Sequence, residues 1–312
     1  MKVAILDDYQ SVALQTADWS PVAARAEITV FTDHVAEPDD LVARLEPFDV
    51  VMVMRERTPL PRAVLERLPR LKMIASTGPF NASIDMEAAT ARGIHLSTTG
   101  GSVASTVELT WALILAGARN LVREAVSVRD GGWQTSVGLE LSGRTLGILG
   151  LGRIGSRVAR IGAAFGMTVI AWSQHLTPEA ASEAGAAHVD RDTLFGTADV
   201  LTVHMKLSDR SRGLVGAREL AAMKPTALLV NTSRGPIVDE SALIGALRAR
   251  DIAGAALDVF DTEPLPEGHP LRILDNVIAT PHIGYVADRP YGIFFRDAVA
   301  AISDWLDQIA QG

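Results

Sequence analysis

Three short segments hold side chains suited to one reaction: Asn231-Thr232-Ser233-Arg234-Gly235, Asp258-Val259-Phe260-Asp261-Thr262-Glu263-Pro264 and Thr280-Pro281-His282-Ile283-Gly284. A guanidinium fork can hold a carboxylate through two parallel hydrogen bonds, so Arg234 suits an organic acid. Histidine exchanges a proton near neutral pH, and a carboxylate bonded to it orients the ring and favours its protonated form. His282 and Glu263 have those types. Singly, each has a dull explanation: an ordinary ion pair for Arg234, a loop acid before proline for Glu263, a satisfied turn histidine for His282. Position joins them. Each segment follows an apolar run of strand character (Ala227–Val230, Gly254–Leu257 and Val277–Ala279), and in a parallel sheet such ends emerge along one edge.

A glycine-rich turn belongs on the same edge. Residues Gly147 to Gly155 read as a buried strand turning directly into a helix, with G-x-G-x-x-G at Gly150, Gly152 and Gly155. The first glycine permits the tight bend, the second lets backbone N–H groups approach a pyrophosphate, and the third lets the helix pack on the strand. A phosphate held there meets unpaired N–H donors and the positive end of the helix dipole, with Arg153 and Ile154 in the turn. The context supports a dinucleotide site. An apolar strand, Thr145–Leu149, precedes the turn; Val158, Ile161 and Phe165 follow at helical period; Gly166 is a helix stop; and Met167–Trp172 is a second strand. The motif requires a strand–helix–strand unit of about 30 residues, and this is one.

These segments need a scaffold, and composition bounds it. A length of 312 residues suits two domains, and 48% hydrophobic content gives each a sizeable core. Net charge is −8 without a basic run, which argues against nucleic acid as the main partner. There is no cysteine, hence no disulfide, thiolate metal site or cysteine nucleophile, which fits the cytoplasm; no convincing metal cluster is present. The N-terminus runs straight into a strand instead of a signal peptide's apolar core, and no uncharged apolar run reaches membrane-spanning length.

The first hundred residues alternate strands (Lys2–Leu6, Glu27–Phe31, Val50–Met54, Leu71–Ser76, Ile94–Leu96) with helices (Pro38–Leu45, Pro61–Leu68, Asp85–Arg92), which implies a parallel sheet. Ligands collect beyond strand C-termini in such sheets, so Arg55 and Gly78 are candidate contacts. The polar stretch Ser97–Ser102 reads as a linker. After it, Val103–Leu121 reads as one long helix, apolar nearly all round, that must be buried between domains or in a subunit interface. From Thr145 strands and helices alternate again as a doubly wound sheet, with Ser241–Arg250 the clearest helix. Asp297–Ile309 is an amphipathic helix that returns to cover the first domain or the seam.

In this order and spacing the motifs resemble the D-isomer-specific 2-hydroxyacid dehydrogenase family, over almost the whole chain and most densely from Ser102 to Gly284. The resemblance implies an α/β fold of two Rossmann-like doubly wound parallel-sheet domains, a cofactor domain (99–285) inserted into a smaller substrate domain (1–98 plus 286–312). It implies a homodimer formed through the cofactor domain. It also implies hydride transfer between NAD(P)H and a small 2-oxo or D-2-hydroxy acid, with closure of the domains excluding water. Arg234 would bind the acid's carboxylate and keto oxygen, His282 would be the acid/base and Glu263 its partner. Asp258 would lie near the nicotinamide, with His204, Thr232 and Ser233 on the cofactor side, and the loop of Gly78 would offer backbone N–H groups to the carboxylate.

Departures from the family pattern bear on specificity. Where an NAD-preferring member carries an acid for the ribose, Ser173-Gln174-His175 follows Trp172: no carboxylate repels a 2′-phosphate and no arginine attracts one. NAD and NADP both stay open, with family usage favouring NAD. Phe80 replaces a second loop glycine, Lys206 a frequent proline and Tyr285 a frequent tryptophan. Glyoxylate and hydroxypyruvate are the expected substrates. A phosphite-type dehydrogenase and a non-catalytic NAD(H)-sensing binding protein are the alternatives.

Overall fold

Short aliphatic runs separated by polar turns become strands, as their composition demands. The computed structural model describes residues 1–311. It divides into two units, Met1–Ser102 with the chain from Val286 onward, and Val103–Tyr285. The first unit contains β1 (Lys2–Ile5), β2 (Glu27–Val30), β3 (Val50–Val53), β4 (Met73–Ser76) and β5 (His95–Thr98), paired in parallel in the order β2-β1-β3-β4-β5. The inner strands β3 and β4 are buried at every residue, as strands covered on both faces must be, whereas the edges β2 and β5 are mixed. Helix Pro38–Leu45 starts with proline and two aspartates and ends with Arg44, an arrangement that complements its dipole. It buries Leu41, Val42 and Leu45. The last helix, Asp288–Gln311, belongs to this unit and buries Phe294, Phe295, Ile302 and Trp305. Arg25 ties it down by donating to Ser303 Oγ at 2.6 Å and bonding to Asp307. Strand order reverses between β1 and β3.

The second unit contains β6 (Thr145–Leu149), β7 (Thr168–Trp172), β8 (Ala187–His188), β9 (Val200–Val203), β10 (Leu228–Asn231), β11 (Gly254–Leu257) and β12 (Val277–Ala279). All pair in parallel, in the order β12-β11-β10-β9-β6-β7-β8. Alternate residues feed two cores. Leu201 and Leu229 join Phe195 and Leu247 on one side, while Val200 and Val230 join Trp111 and Ile114 on the other. Strand order reverses between β6 and β9, and in open α/β sheets the crevice for a ligand lies at such a reversal.

Several sequence expectations need correction. The apolar helix expected over Val103–Leu121 ends at Ala118. Asn120 turns the chain with φ +51°, and a separate helix, Leu121–Arg129, follows with no buried residue. Ser97 and Thr98, expected in a linker, complete β5. Phe165, read as part of the helix by its period with Val158 and Ile161, lies just past the helix end at Ala164, is 41% exposed and stacks on Trp111 with centroids 4.9 Å apart. The final helix begins at Asp288 rather than Asp297, with Pro290 in its first turn, where a missing N–H loses no hydrogen bond. Helices Pro178–Glu183, Arg191–Thr197 and Ala217–Ala222, and the two-residue β8, carry no periodicity signal.

Candidate active site

β6 ends at a turn that is tight at two glycines and open at the third. Gly150 has φ +102°, its N–H donates to Trp172 O at 2.9 Å, and an added Cβ would lie 2.7 Å from His204 O. At Gly155 a Cβ would lie 2.2 Å from Gly150 O, so backbone packing excludes any side chain at either position. At Gly152 a Cβ would meet nothing within 4 Å. Its glycine is unexplained by packing and fits close approach of a ligand. Helix Gly155–Ala164 has no side-chain cap; Ser156 N and Arg157 N close its first turn on Gly152 O and Ile154 O, each at 2.9 Å, and its positive dipole end faces the turn. Arg153 is exposed, and Ile154 is half-buried against the core.

His204 follows β9 beside this turn, with Nε2 2.9 Å from Thr202 Oγ1. Burial pushes its pKa down to about 3, so the ring is neutral, and its buried Nδ1 has no hydrogen-bond partner. An orphaned buried polar atom next to an open glycine turn is what a dinucleotide site shows without its ligand. The residues present therefore fit the cofactor. After β7, Ser173 is half-buried and Gln174 exposed.

The chemistry-bearing side chains sit on loops after β10, β11 and β12, the same ends from which the Gly150 turn emerges. Asn231 braces the first loop: its Oδ1 accepts from Ser233 N at 3.0 Å and its Nδ2 donates to Arg234 O at 3.0 Å. Ser233 Oγ donates to Val203 O at 2.8 Å, and Thr232 Oγ1 pairs with Thr110 Oγ1 at 2.9 Å. Both hydroxyls, expected on the cofactor side, thus hold the loop. The half-buried Arg234 folds back so that Nη1 donates to Ser233 O at 2.7 Å. Gly235 abuts the next loop, where a Cβ would lie 2.1 Å from Phe260 C.

His282 has φ +53° in a turn held by Asp258, whose carboxylate accepts from Thr280 Oγ1 (2.6 Å), Ile283 N (2.8 Å) and Gly284 N (2.9 Å). Burial pushes the Asp258 carboxyl up, against those hydrogen bonds and the charge of His282. Its observed role is to anchor the histidine's turn. His282 Nδ1 lies 2.5 Å from Glu263 Oε2, and Glu263 Oε1 accepts from Phe260 N at 2.9 Å. Burial alone would raise the Glu263 carboxyl; the His282 bond and charge, the Phe260 N–H and Arg234 outweigh it and hold the carboxyl below its usual range. The glutamate is therefore ionised, and the ring's Nε2 is left for proton exchange. Tyr285 packs edge-on to the imidazole, centroids 5.6 Å apart.

Arg55 and Gly78 lie in the other unit from this set. Arg55, with φ +55°, donates from Nη1 to Thr77 O at 3.2 Å and to Phe80 O at 3.4 Å. Its guanidinium lies over Gly78, where an added Cβ would fall 1.6 Å from Nη1. Gly78 N–H donates to Thr99 Oγ1 at 2.7 Å. The backbone donor that the resemblance assigns to a substrate carboxylate is thus engaged within its own unit. Sequence reasoning passed over Glu240, which accepts from Asp261 N at 3.3 Å, and Thr110, because neither carries a local signal that reaches across the fold.

Residues 111–284 match the family described as D-isomer specific 2-hydroxyacid dehydrogenase, NAD binding domain. The chain belongs to this dehydrogenase family. It is 47% identical over 229 residues to a glyoxylate reductase of Aeropyrum pernix, covering 70% of this chain and 68% of that one. It is 41% identical over 262 residues to a D-3-phosphoglycerate dehydrogenase of Methanocaldococcus jannaschii, covering 83% of this chain and 49% of that one, so it spans about half of that relative's length. A crystal structure of a phosphoglycerate oxidoreductase from Vibrio cholerae O395 superposes with a TM-score of 0.93 at 39% identity, covering 99% of each chain. The protein is accordingly a 2-hydroxyacid dehydrogenase acting on a CH–OH donor, with a nicotinamide dinucleotide as cofactor.

Proposed function

We propose that this dehydrogenase reduces a small 2-oxo acid, glyoxylate or hydroxypyruvate, and gives the D-isomer where the product is chiral. The observation that carries the proposal is the 2.5 Å contact between Glu263 and His282 Nδ1, with the Glu263 loop abutting the loop of Arg234. When bound, the reduced nicotinamide supplies a hydride to the keto carbon. Arg234 binds the substrate carboxylate through its guanidinium fork and stabilises negative charge on the keto oxygen. His282 donates a proton from Nε2 to that oxygen. Glu263, ionised, fixes the ring by Nδ1 and so aims Nε2 at the reacting oxygen. In oxidation the same Nε2 takes the proton back.

Gly150, Gly152, Arg153, Ile154 and Gly155 would hold the pyrophosphate, with His204 Nδ1 as a further polar contact and Ser173 and Gln174 at the ribose end. The match to an NAD binding domain supports NADH, and neutral Ser173 and Gln174 leave NADPH as a slower substitute. The unit of β1 to β5 is proposed as the substrate domain, to which Arg55 would lend its charge. Leu121, Val122 and Val128, with Trp133 and Val137 in the following loop, are exposed large apolar residues on one short segment. Such a patch supports a homodimer formed through the second unit, and Val128→Asp with Trp133→Asp should give a monomer by sedimentation. The absence of cysteine supports a cytoplasmic setting.

The test follows the absorbance of NADH and of NADPH with glyoxylate, hydroxypyruvate, pyruvate and phenylpyruvate. Turnover by the wild type that collapses in His282→Ala is the expected result. Tight NADH binding with no turnover of any 2-oxo acid would overturn the proposal.

A further inference from the structure

Two consecutive backbone N–H groups in the loop after β11 each go to a glutamate, and each glutamate's other oxygen goes to a histidine. Phe260 N donates to Glu263 Oε1 at 2.9 Å, and Glu263 Oε2 meets His282 Nδ1 at 2.5 Å. One residue along, Asp261 N donates to Glu240 Oε2 at 3.3 Å, and Glu240 Oε1 meets His269 Nε2 at 3.0 Å. The first pair belongs to the reaction proposed above; that reaction makes no use of the second.

We infer that Glu240, braced by His269, is a positioning residue for the Glu263–His282 pair. Glu263 stands on irregular backbone, whereas Glu240 is the first residue of helix Glu240–Ala249, whose cap Asp239 accepts from Ala242 N at 3.0 Å. The bond to Asp261 N therefore ties the glutamate loop to a rigid element. His269 Nδ1 accepts from Leu271 N at 3.3 Å, which puts the ring proton on Nε2, pointing at Glu240. Arg272 Nε donates to Pro266 O at 2.8 Å and closes the far side of the loop.

Glu240 stands in the first turn of its helix, where an acid suits the dipole, but also among other acids, where it does not. Burial, then Glu240, then Asp239 push the Asp261 carboxyl up, with Arg212 and His269 opposing them, so the glutamate adds like charge to a crowded acidic loop. A residue kept only for stability should lower Tm and spare kcat when it is replaced; a positioning residue should lower kcat without lowering Tm.

The inference rests on the proposed reaction, and Glu240→Gln separates the two. Glutamine has one acceptor oxygen, so either the Asp261 or the His269 N–H is left facing an amide N–H2 group. The expected result is a fall in kcat of about tenfold, with KM within about twofold and an unchanged or higher Tm. In the cofactor-free protein, the His282 Nδ1 proton should resonate far downfield, be assigned by its loss in Glu263→Gln, and move upfield in Glu240→Gln. Adding Glu240→Gln to Glu263→Gln should change kcat no further, since one acts through the other. His269→Gln should shift the same resonance in the same direction if Glu240→Gln folds poorly. Wild-type kcat and an unmoved resonance in Glu240→Gln, or full additivity with Glu263→Gln, would overturn the inference. Failure of the wild type to reduce any 2-oxo acid would refute the proposed function, and the resonance would still decide the role of Glu240.

Discussion

Gly235→Ala probes how closely the arginine loop and the glutamate loop are fitted. An added Cβ would lie 2.1 Å from Phe260 C, 2.2 Å from Phe260 O and 2.6 Å from Asp261 N, all of them backbone atoms that cannot rotate away. Restoring an ordinary contact of 3.4 Å requires a displacement of 3.4 − 2.1, or 1.3 Å, shared between the loop of Arg234 and the loop of Glu263. Overpacking of this kind costs about 1–3 kcal/mol in stability, and a misplacement near 1 Å costs about 100-fold in rate. We expect kcat/KM for 2-oxo acid reduction to fall about 100-fold and Tm to drop by roughly 2–4 °C per kcal/mol. Gly245→Ala is the control, because a Cβ there meets nothing within 4 Å inside helix Glu240–Ala249. It should leave activity intact and stabilise by about 0.4–1 kcal/mol. Both are read by steady-state kinetics and a thermal melt. If Gly235→Ala keeps kcat/KM within about threefold of wild type, the two loops are not fitted to the tolerance on which the argument relies.

Three further outcomes follow from the same site. Gly152→Ala should keep its Tm, since its Cβ meets nothing, yet lose about tenfold or more in NADH affinity by titration calorimetry; Gly155→Ala, whose Cβ would press on Gly150 O, should lose stability as well. Wild-type NADH binding by Gly152→Ala would contradict the phosphate cradle. Glu263 is held below its ordinary 4.5, so its stabilisation is complete above that value and disappears as pH falls through the folded one. Melts between about pH 5 and about pH 3 should therefore drop more steeply for wild type than for Glu263→Gln, and parallel curves would refute the depressed carboxyl. His204 is pushed from 6.5 to about 3, so its stabilisation is full above 6.5 and is lost toward 3. Its ring resonances should stay fixed through neutral pH, and a titration centred near the ordinary histidine value would show the ring to be solvated.

Strands of the second unit were readable because a parallel strand covered on both faces must be a continuous apolar run, as Thr145–Leu149, Val200–Val203 and Gly254–Leu257 are. Helix Pro38–Leu45 was readable from its period and end charges. Helices Pro178–Glu183 and Arg191–Thr197 were not, because they depend on single caps, Thr177 and Asp190, and on packing, and are too short to show a period. The break at Asn120 was hidden by the apolar residues on either side, since a single left-handed residue leaves hydrophobicity unchanged. At the site, Arg234, Glu263 and His282 could be found by type and strand-end position. Glu240 and His269 could not, because their meaning lies in one hydrogen bond between segments 29 residues apart.

The chain enters the second unit once, after Ser102, and leaves it once, after Tyr285. On a ribosome, residues 103–285 therefore emerge as an unbroken stretch that can close its own core as soon as it is out. The strands made first have no such freedom. Their unit lacks Phe294, Phe295, Ile302 and Trp305 until helix Asp288–Gln311 has been synthesised and can pack on β4 and β5. Order of birth and order of completion are inverted, so the earliest residues are those longest exposed to chaperones and proteases. A nascent chain stalled near Tyr285 would carry a finished nucleotide-type sheet and an unfinished partner, a state that limited proteolysis should resolve into a resistant core and a digested N-terminal third.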